Sequence, residues 1–144
     1  MEGQQMTTST QSPAGRPVTE IDPALAIGGV SLAVSDLPRS VDFYGRLLGL
    51  PLISEDGETA SFGFDEGAVL LELTRIIDPV PAPARSAGLF HVAWLHPSRG
   101  ALADTVQRLA RARWPFDGAS DHGVSEALYL SDPDGLGIEI YADR

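Results

Sequence analysis

The chain has 144 residues, 43% of them hydrophobic, with a formal net charge of −10 and a pI near 4.5. That length fits one compact domain, or two small repeats on a shared core. The acidity argues against nucleic acid, which needs a basic face. Cysteine and lysine are both missing, so disulfides, thiolate nucleophiles, zinc–sulfur sites, Schiff-base lysines and a Walker-type phosphate loop are excluded.

Residues 1–25 are polar and lack the apolar stretch of a signal peptide. They read as a disordered leader to a domain spanning 26–144. No apolar run approaches the ~20 residues that cross a bilayer, so a soluble cytoplasmic protein is expected.

In chain order, IGGVSLAV (27–34) alternates as a strand does. SDLPRSVDFYGRLLGL follows as a helix. Ser35 or Asp36 caps it, Pro38 sits in its first turn and Gly49 ends it. Its inward face should be Leu37, Val41, Tyr44 and Leu48. LPLISE, TASFGF and AVLLELT then read as three antiparallel strands separated by acidic, glycine-bearing turns. This β-α-β-β-β unit is module one, 26–74. A proline-rich linker, 75–87, leads to module two, 88–144.

Module two repeats the order. GLFHVAWL is a strand, and Ser98 caps a helix with Leu102, Val106 and Leu109 inward that Trp114-Pro115 stops. Strands follow at FDGASDHG, SEALYLSD and GLGIEIYA, with the turn DPDG before the last. Superposing the units sets Gly29 on His91 at an offset of 62, and Glu72 on Glu139 at an offset of 67. The expected fold class is α+β: two tandem βαβββ modules forming a curved mixed sheet around a cleft.

Strand alternation puts His91, Ala93 and Leu95 on one face, and Phe90, Val92 and Trp94 on the other, beneath the helix. Gly137, Glu139 and Tyr141 likewise oppose Ile138 and Ile140. A carboxylate amid an apolar strand is costly unless it meets water, a partner or a metal, and Glu72 in VLLEL poses the same question. One imidazole with oxygen donors suits Fe(II), Mn(II) or Ni(II) better than a closed zinc site. The alternative is a hydrogen-bonded pair in a wet cleft. His122 and Tyr129, on neighbouring strands, are candidates for acid–base work, or else an exposed strand-end histidine and an edge tyrosine. His96 reads as a surface residue, Trp94 and Trp114 as core, and Asp132 and Asp134 as turn residues.

IGGVSLAVSDLPRSVDFYGRLLGL resembles the opening of vicinal oxygen chelate proteins, the glyoxalase, bleomycin-resistance and dioxygenase superfamily. DHGVSEALYLSDPDG and GIEIY resemble its catechol 2,3-dioxygenase-like branch, and the likeness runs over residues 25–144. It implies paired modules and a cleft metal, commonly Fe(II), held by His, His and Glu. The second His matches His91 and the Glu matches Glu139. The acid–base His of ring-cleaving members matches His122, their Tyr matches Tyr129, and a glyoxalase-type carboxylate matches Glu72. The first His should stand at residue 29, where this chain has Gly29. Ser31 replaces another frequent histidine, and Leu136 stands where members often have Asn.

Three functions stay open on these grounds. One is a metalloenzyme of dioxygenase or glyoxalase type that binds a catechol-like molecule at Fe(II) or Mn(II) on His91, Glu139 and Glu72. The second, favoured by Gly29, Ser31 and the acidity, is a metal-free protein of bleomycin-resistance type that binds a small cationic or aromatic molecule in the cleft, as a homodimer. The third is metal-independent acid–base catalysis by His122 and Glu139.

Overall fold

The computed structural model describes residue 24 and residues 26–64, 68–80 and 87–144. The expected leader and the centre of the linker lie outside the described residues. Module one runs β1 (Val30–Val34), helix α1 (Leu37–Val41), β2 (Leu52–Glu55), β3 (Thr59–Gly63) and β4 (Val69–Arg75). Module two runs β5 (His91–Leu95), α2 (Arg99–Arg111), β6 (Gly118–Asp121), β7 (Ser125–Ser131) and β8 (Gly137–Asp143). Each module builds one four-stranded mixed sheet, ordered β1-β4-β3-β2 and β5-β8-β7-β6, with its first and last strands parallel. The two tandem modules of an α+β fold are therefore present as expected.

The repeat holds residue by residue. Val30 lies opposite Leu71 and Val92 opposite Ile138, and the same pairing brings Ser31 to Glu72 and Ala93 to Glu139. The offsets read from the sequence thus describe one register built twice.

Local chemistry explains the helices. The Asp36 side chain accepts from the Arg39 N–H, Pro38 occupies the first turn, and Gly49 ends the segment at φ +89°. One difference from expectation appears between. From Asp42 to Leu47 the helix is π-wound, with the Leu48 N–H donating to the Phe43 carbonyl. The wider turn changes the inward face, so Phe43, Tyr44, Leu47 and Leu48 are buried while Val41 is only half-buried. In α2 the Ser98 hydroxyl accepts from the Ala101 N–H, and Thr105 joins Leu102 and Leu109 in the core while Val106 is half-buried.

One core holds both modules. Phe62, Leu71 and Leu73 from the first sheet and Leu130, Ile138 and Ile140 from the second share a cluster with both helices. The Phe43 ring lies 4.8 Å from that of Trp114. Arg108 donates to the Leu47 and Leu48 carbonyls, which the end of the first helix leaves without partners. The DPDG turn is the main polar clamp. Tyr44 Oη donates to Asp132 Oδ2 at 2.9 Å, while Asp132 Oδ1 accepts from the N–H groups of Asp134 and Leu136. Asp134 accepts from the Ser35 hydroxyl and N–H and from Arg39. Both aspartates thus shape the turn, as expected, and also hold it to module one.

Burial, then the charges of Asp132 and Asp134, push the Tyr44 phenol far above its ordinary value. A raised folded-state value means that the stabilisation is complete below about pH 10 and is lost as the pH rises beyond it. Unfolding free energy should therefore drop on the alkaline side of pH 10, and Tyr44→Phe should flatten that limb. Asp132→Ala, which strips Tyr44 and two N–H groups of their acceptor, should cost about 2–4 kcal/mol near neutrality. Urea titrations across pH 7–11 check both, and an unchanged alkaline slope in Tyr44→Phe would refute the assignment.

Candidate functional site

Each helix covers one face of its sheet, so alternation decides what the other face shows. In β5, Val92 is buried and Trp94 half-buried, while His91, Ala93 and Leu95 are exposed. In β8, Ile138 and Ile140 are buried, and Gly137, Glu139 and Tyr141 are half-buried on the opposite face. Phe90 departs from the expected pattern. It lies just before β5, 86% exposed, with its ring edge-on to His91 at 5.2 Å.

Four expected residues come together on the open face. His91 Nε2 lies 3.3 Å from Glu139 Oε2. Tyr129, opposite Glu139 in the β7–β8 register, points its hydroxyl at Glu139 Oε1 at 3.4 Å. His122 Nε2 lies 3.1 Å from that same hydroxyl. The result is a line of polar groups, His91, Glu139, Tyr129, His122, along one sheet. Partial desolvation and the adjacent Glu139 carboxylate raise the Tyr129 phenol above its ordinary value, so it stays protonated at neutral pH and serves as a donor.

A cavity of about 670 Å³ opens over His91, Glu139 and Tyr129, while His122 reaches them through the Tyr129 hydroxyl. Sequence reasoning missed several of its walls: Phe90, Asp117, Ser131 and Gly137. Asp117 accepts from the Ser131 hydroxyl at 3.0 Å. Among the described residues no arginine lines the cavity. Ser131 was findable, since it alternates with Tyr129 on β7. Asp117 was not, because it enters from the loop before β6.

Glu72 stands apart from these. It is exposed on β4, between Ser31 and Ser61 on the other sheet. Among the described residues no group of three or more His, Asp or Glu side chains is placed to hold one metal ion. Gly29 is more than a missing imidazole. A Cβ built there would lie 2.8 Å from the Val69 carbonyl oxygen, so no side chain enters without a backbone shift.

His96 is not the surface residue expected. It is half-buried, with Nε2 2.9 Å from Thr105 Oγ1 and Nδ1 3.3 Å from the Trp94 carbonyl. Its strand exit turns under α2 rather than toward solvent, beside a second cavity of about 340 Å³ lined mainly by apolar side chains. Trp94 and Trp114 pack against the core as expected, and the Trp114 indole N–H donates to the Ser131 carbonyl.

Comparison with known proteins agrees with this fold. A family model described as the Glyoxalase/Bleomycin resistance protein/Dioxygenase superfamily matches residues 26–140. A catechol-2,3-dioxygenase of Bacillus subtilis (strain 168) is 41% identical over 128 residues, which is 88% of this chain and 45% of that protein. The chain therefore spans just under half of that relative. Among solved structures, a glyoxalase/dioxygenase from Nostoc punctiforme superposes with a TM-score of 0.68 at 22% identity, covering 87% of this chain and 99% of the other. A glyoxylase/bleomycin resistance protein/dioxygenase domain from Frankia sp. EAN1pec gives 0.69 at 22%, covering 83% and 98%. No helix among the described residues is long and apolar enough to cross a membrane.

Burial, opposed by a hydrogen bond to the Trp94 carbonyl and assisted by the Arg108 charge, lowers the His96 pKa. A depressed folded-state value gives stability that is complete above about pH 6.5 and is lost as the pH falls below it. Melting temperature should therefore decline between about pH 6.5 and pH 5. His96→Asn should shrink that decline, and thermal scans in matched buffers would contradict the reading if both proteins lost the same number of degrees.

Proposed function

The chain belongs to the Glyoxalase/Bleomycin resistance protein/Dioxygenase superfamily, and on that premise we propose that it binds a small catechol-like molecule at a divalent metal, Fe(II) or Mn(II), on the open face of module two. His91 and Glu139 are the two ligands this chain brings together. The supporting observation is the 3.3 Å between His91 Nε2 and Glu139 Oε2. Adjacent donors, each about 2.1 Å from one ion, stand roughly 3 Å apart, so this pair fits two positions of a site. The third is assigned to Glu72 of a second copy, in a homodimer that sets the open face of one module-one sheet against that of module two. Among the described residues His91 on one face and Glu72 on the other are both exposed, which supports this arrangement.

A bound ion there would supply Lewis-acid polarisation of two neighbouring substrate oxygens. The rest of the work falls to side chains. Tyr129 keeps its proton and donates toward charge developing on a substrate oxygen. His122, its Nε2 3.1 Å from the Tyr129 hydroxyl, is the acid–base group of this reading and exchanges a proton with the substrate while Tyr129 keeps its own. Phe90 offers its exposed ring beside His91 for an aromatic substrate to pack on. Asp117 and Glu139 make the cavity acidic, which favours a neutral or cationic catechol over one bearing a carboxylate.

A second reading has its own support. One chain brings together two donors rather than three, and residue 29 is closed. The same cavity would then serve a metal-free binding protein, or acid–base chemistry by His122 and Glu139.

Metal content after anaerobic, chelator-free purification separates the readings. The expected result is about one equivalent of iron or manganese per chain. It should vanish in His91→Ala and Glu139→Gln, fall in Glu72→Gln and persist in Tyr129→Phe. Catechol turnover in Tyr129→Phe should drop by roughly 10²-fold. A metal-free wild-type protein that still binds catechol would defeat the metal reading and leave the second.

A further inference from the structure

The closure at residue 29 has a mirror image in module two. One step before the first paired residues of β1 and β4, Gly29 lies against Leu70. At the equivalent place in module two, His91 lies opposite Gly137. A Cβ added at Gly29 would meet the Val69 carbonyl oxygen at 2.8 Å, the carbonyl of the residue before Leu70. A Cβ added at Gly137 would meet the Phe90 carbonyl oxygen at 2.7 Å, the carbonyl of the residue before His91, and His91 Cβ at 3.1 Å. Neither glycine has a positive φ, so backbone conformation does not call for them. Space does. At this register each glycine lies against a backbone carbonyl of the neighbouring strand too closely for a Cβ, and each module places its glycine on the opposite strand.

We propose that this reciprocal glycine decides which module presents an imidazole, and that Gly137 is a positioning residue for His91. Glycine on the last strand lets the first strand carry His91 over the cavity, 3.3 Å from Glu139. In module one the exchange is reversed: Leu70 occupies the last strand, and Gly29 admits its backbone. Module one is therefore closed as a histidine site by packing, and changing residue 29 alone does not reopen it. The inference concerns strand spacing and holds whether or not His91 binds a metal.

Substitutions at both glycines of the full chain test it. Gly29→His should lower the melting temperature by roughly 5 °C or more, the usual cost of overpacking in a domain this size. Leu70→Gly should not relieve that loss, because the oxygen that meets the added Cβ is a backbone carbonyl. Gly137→Ala, the smallest change, should destabilise the chain, displace the His91 ring resonances in NMR spectra and weaken Co(II) binding. Adding His91→Gly to Gly137→Ala should return part of the lost stability, because it removes the His91 Cβ at 3.1 Å and leaves the Phe90 carbonyl. A Gly29→His chain of unchanged stability, or a Gly137→Ala protein with unmoved His91 resonances and unchanged stability, would overturn the proposal. A chain that binds no Co(II) at all but shows these losses and the His91 displacement would leave this proposal standing and count only against the metal reading.

Discussion

The Tyr44 hydroxyl, buried in the core, donates to a carboxylate that belongs to the other module. Asp132 is itself almost fully buried, and a buried carboxylate is tolerated only when its oxygens are occupied. Here one oxygen takes the phenol and the other takes two N–H groups of its own turn. The turn before β8 is thereby tied to the first helix. Asp134, two residues on, adds Ser35 and Arg39 to the same junction. With the helices held together at the centre, each sheet turns its apolar face inward and leaves its other face bare.

That division of faces produces the functional site. Alternation sends Val92, Ile138 and Ile140 to the core and leaves His91 and Glu139 outside, so the chemistry rests on strands rather than loops. Tyr129 joins because it faces Glu139 across a strand pair, and His122 joins from the turn that β6 and β7 share. Asp117 and Phe90 also come from outside the regular strands, and they give the cavity its acidic and aromatic walls. The same close packing that brings Glu139 beside His91 demands glycine at 137.

Much of this was legible in the chain. The caps Asp36 and Ser98, the terminal Gly49 and the alternation in β5 and β8 are local signals, and the structure reproduces them. Other features were not local. The π-wound turn at Asp42–Leu47 contains Phe43, which packs on Trp114, a residue 71 positions away. His96 read as a surface residue because it precedes a proline, and only the placement of α2 covers it. Glu72 read as a companion of Glu139 because the repeat equates them, but equivalent positions in two modules lie on two different sheets.

The sequence by itself determined the elements, the repeat and its offsets, and which side chains leave the core, because periodicity and capping act within a few residues. Tertiary structure alone decided which of those outward residues meet. His91, Glu139, Tyr129 and His122 converge because parallel and antiparallel pairing brings four separate segments into one register. Gly29 and Glu72 do not join them, because module one builds a separate sheet of its own.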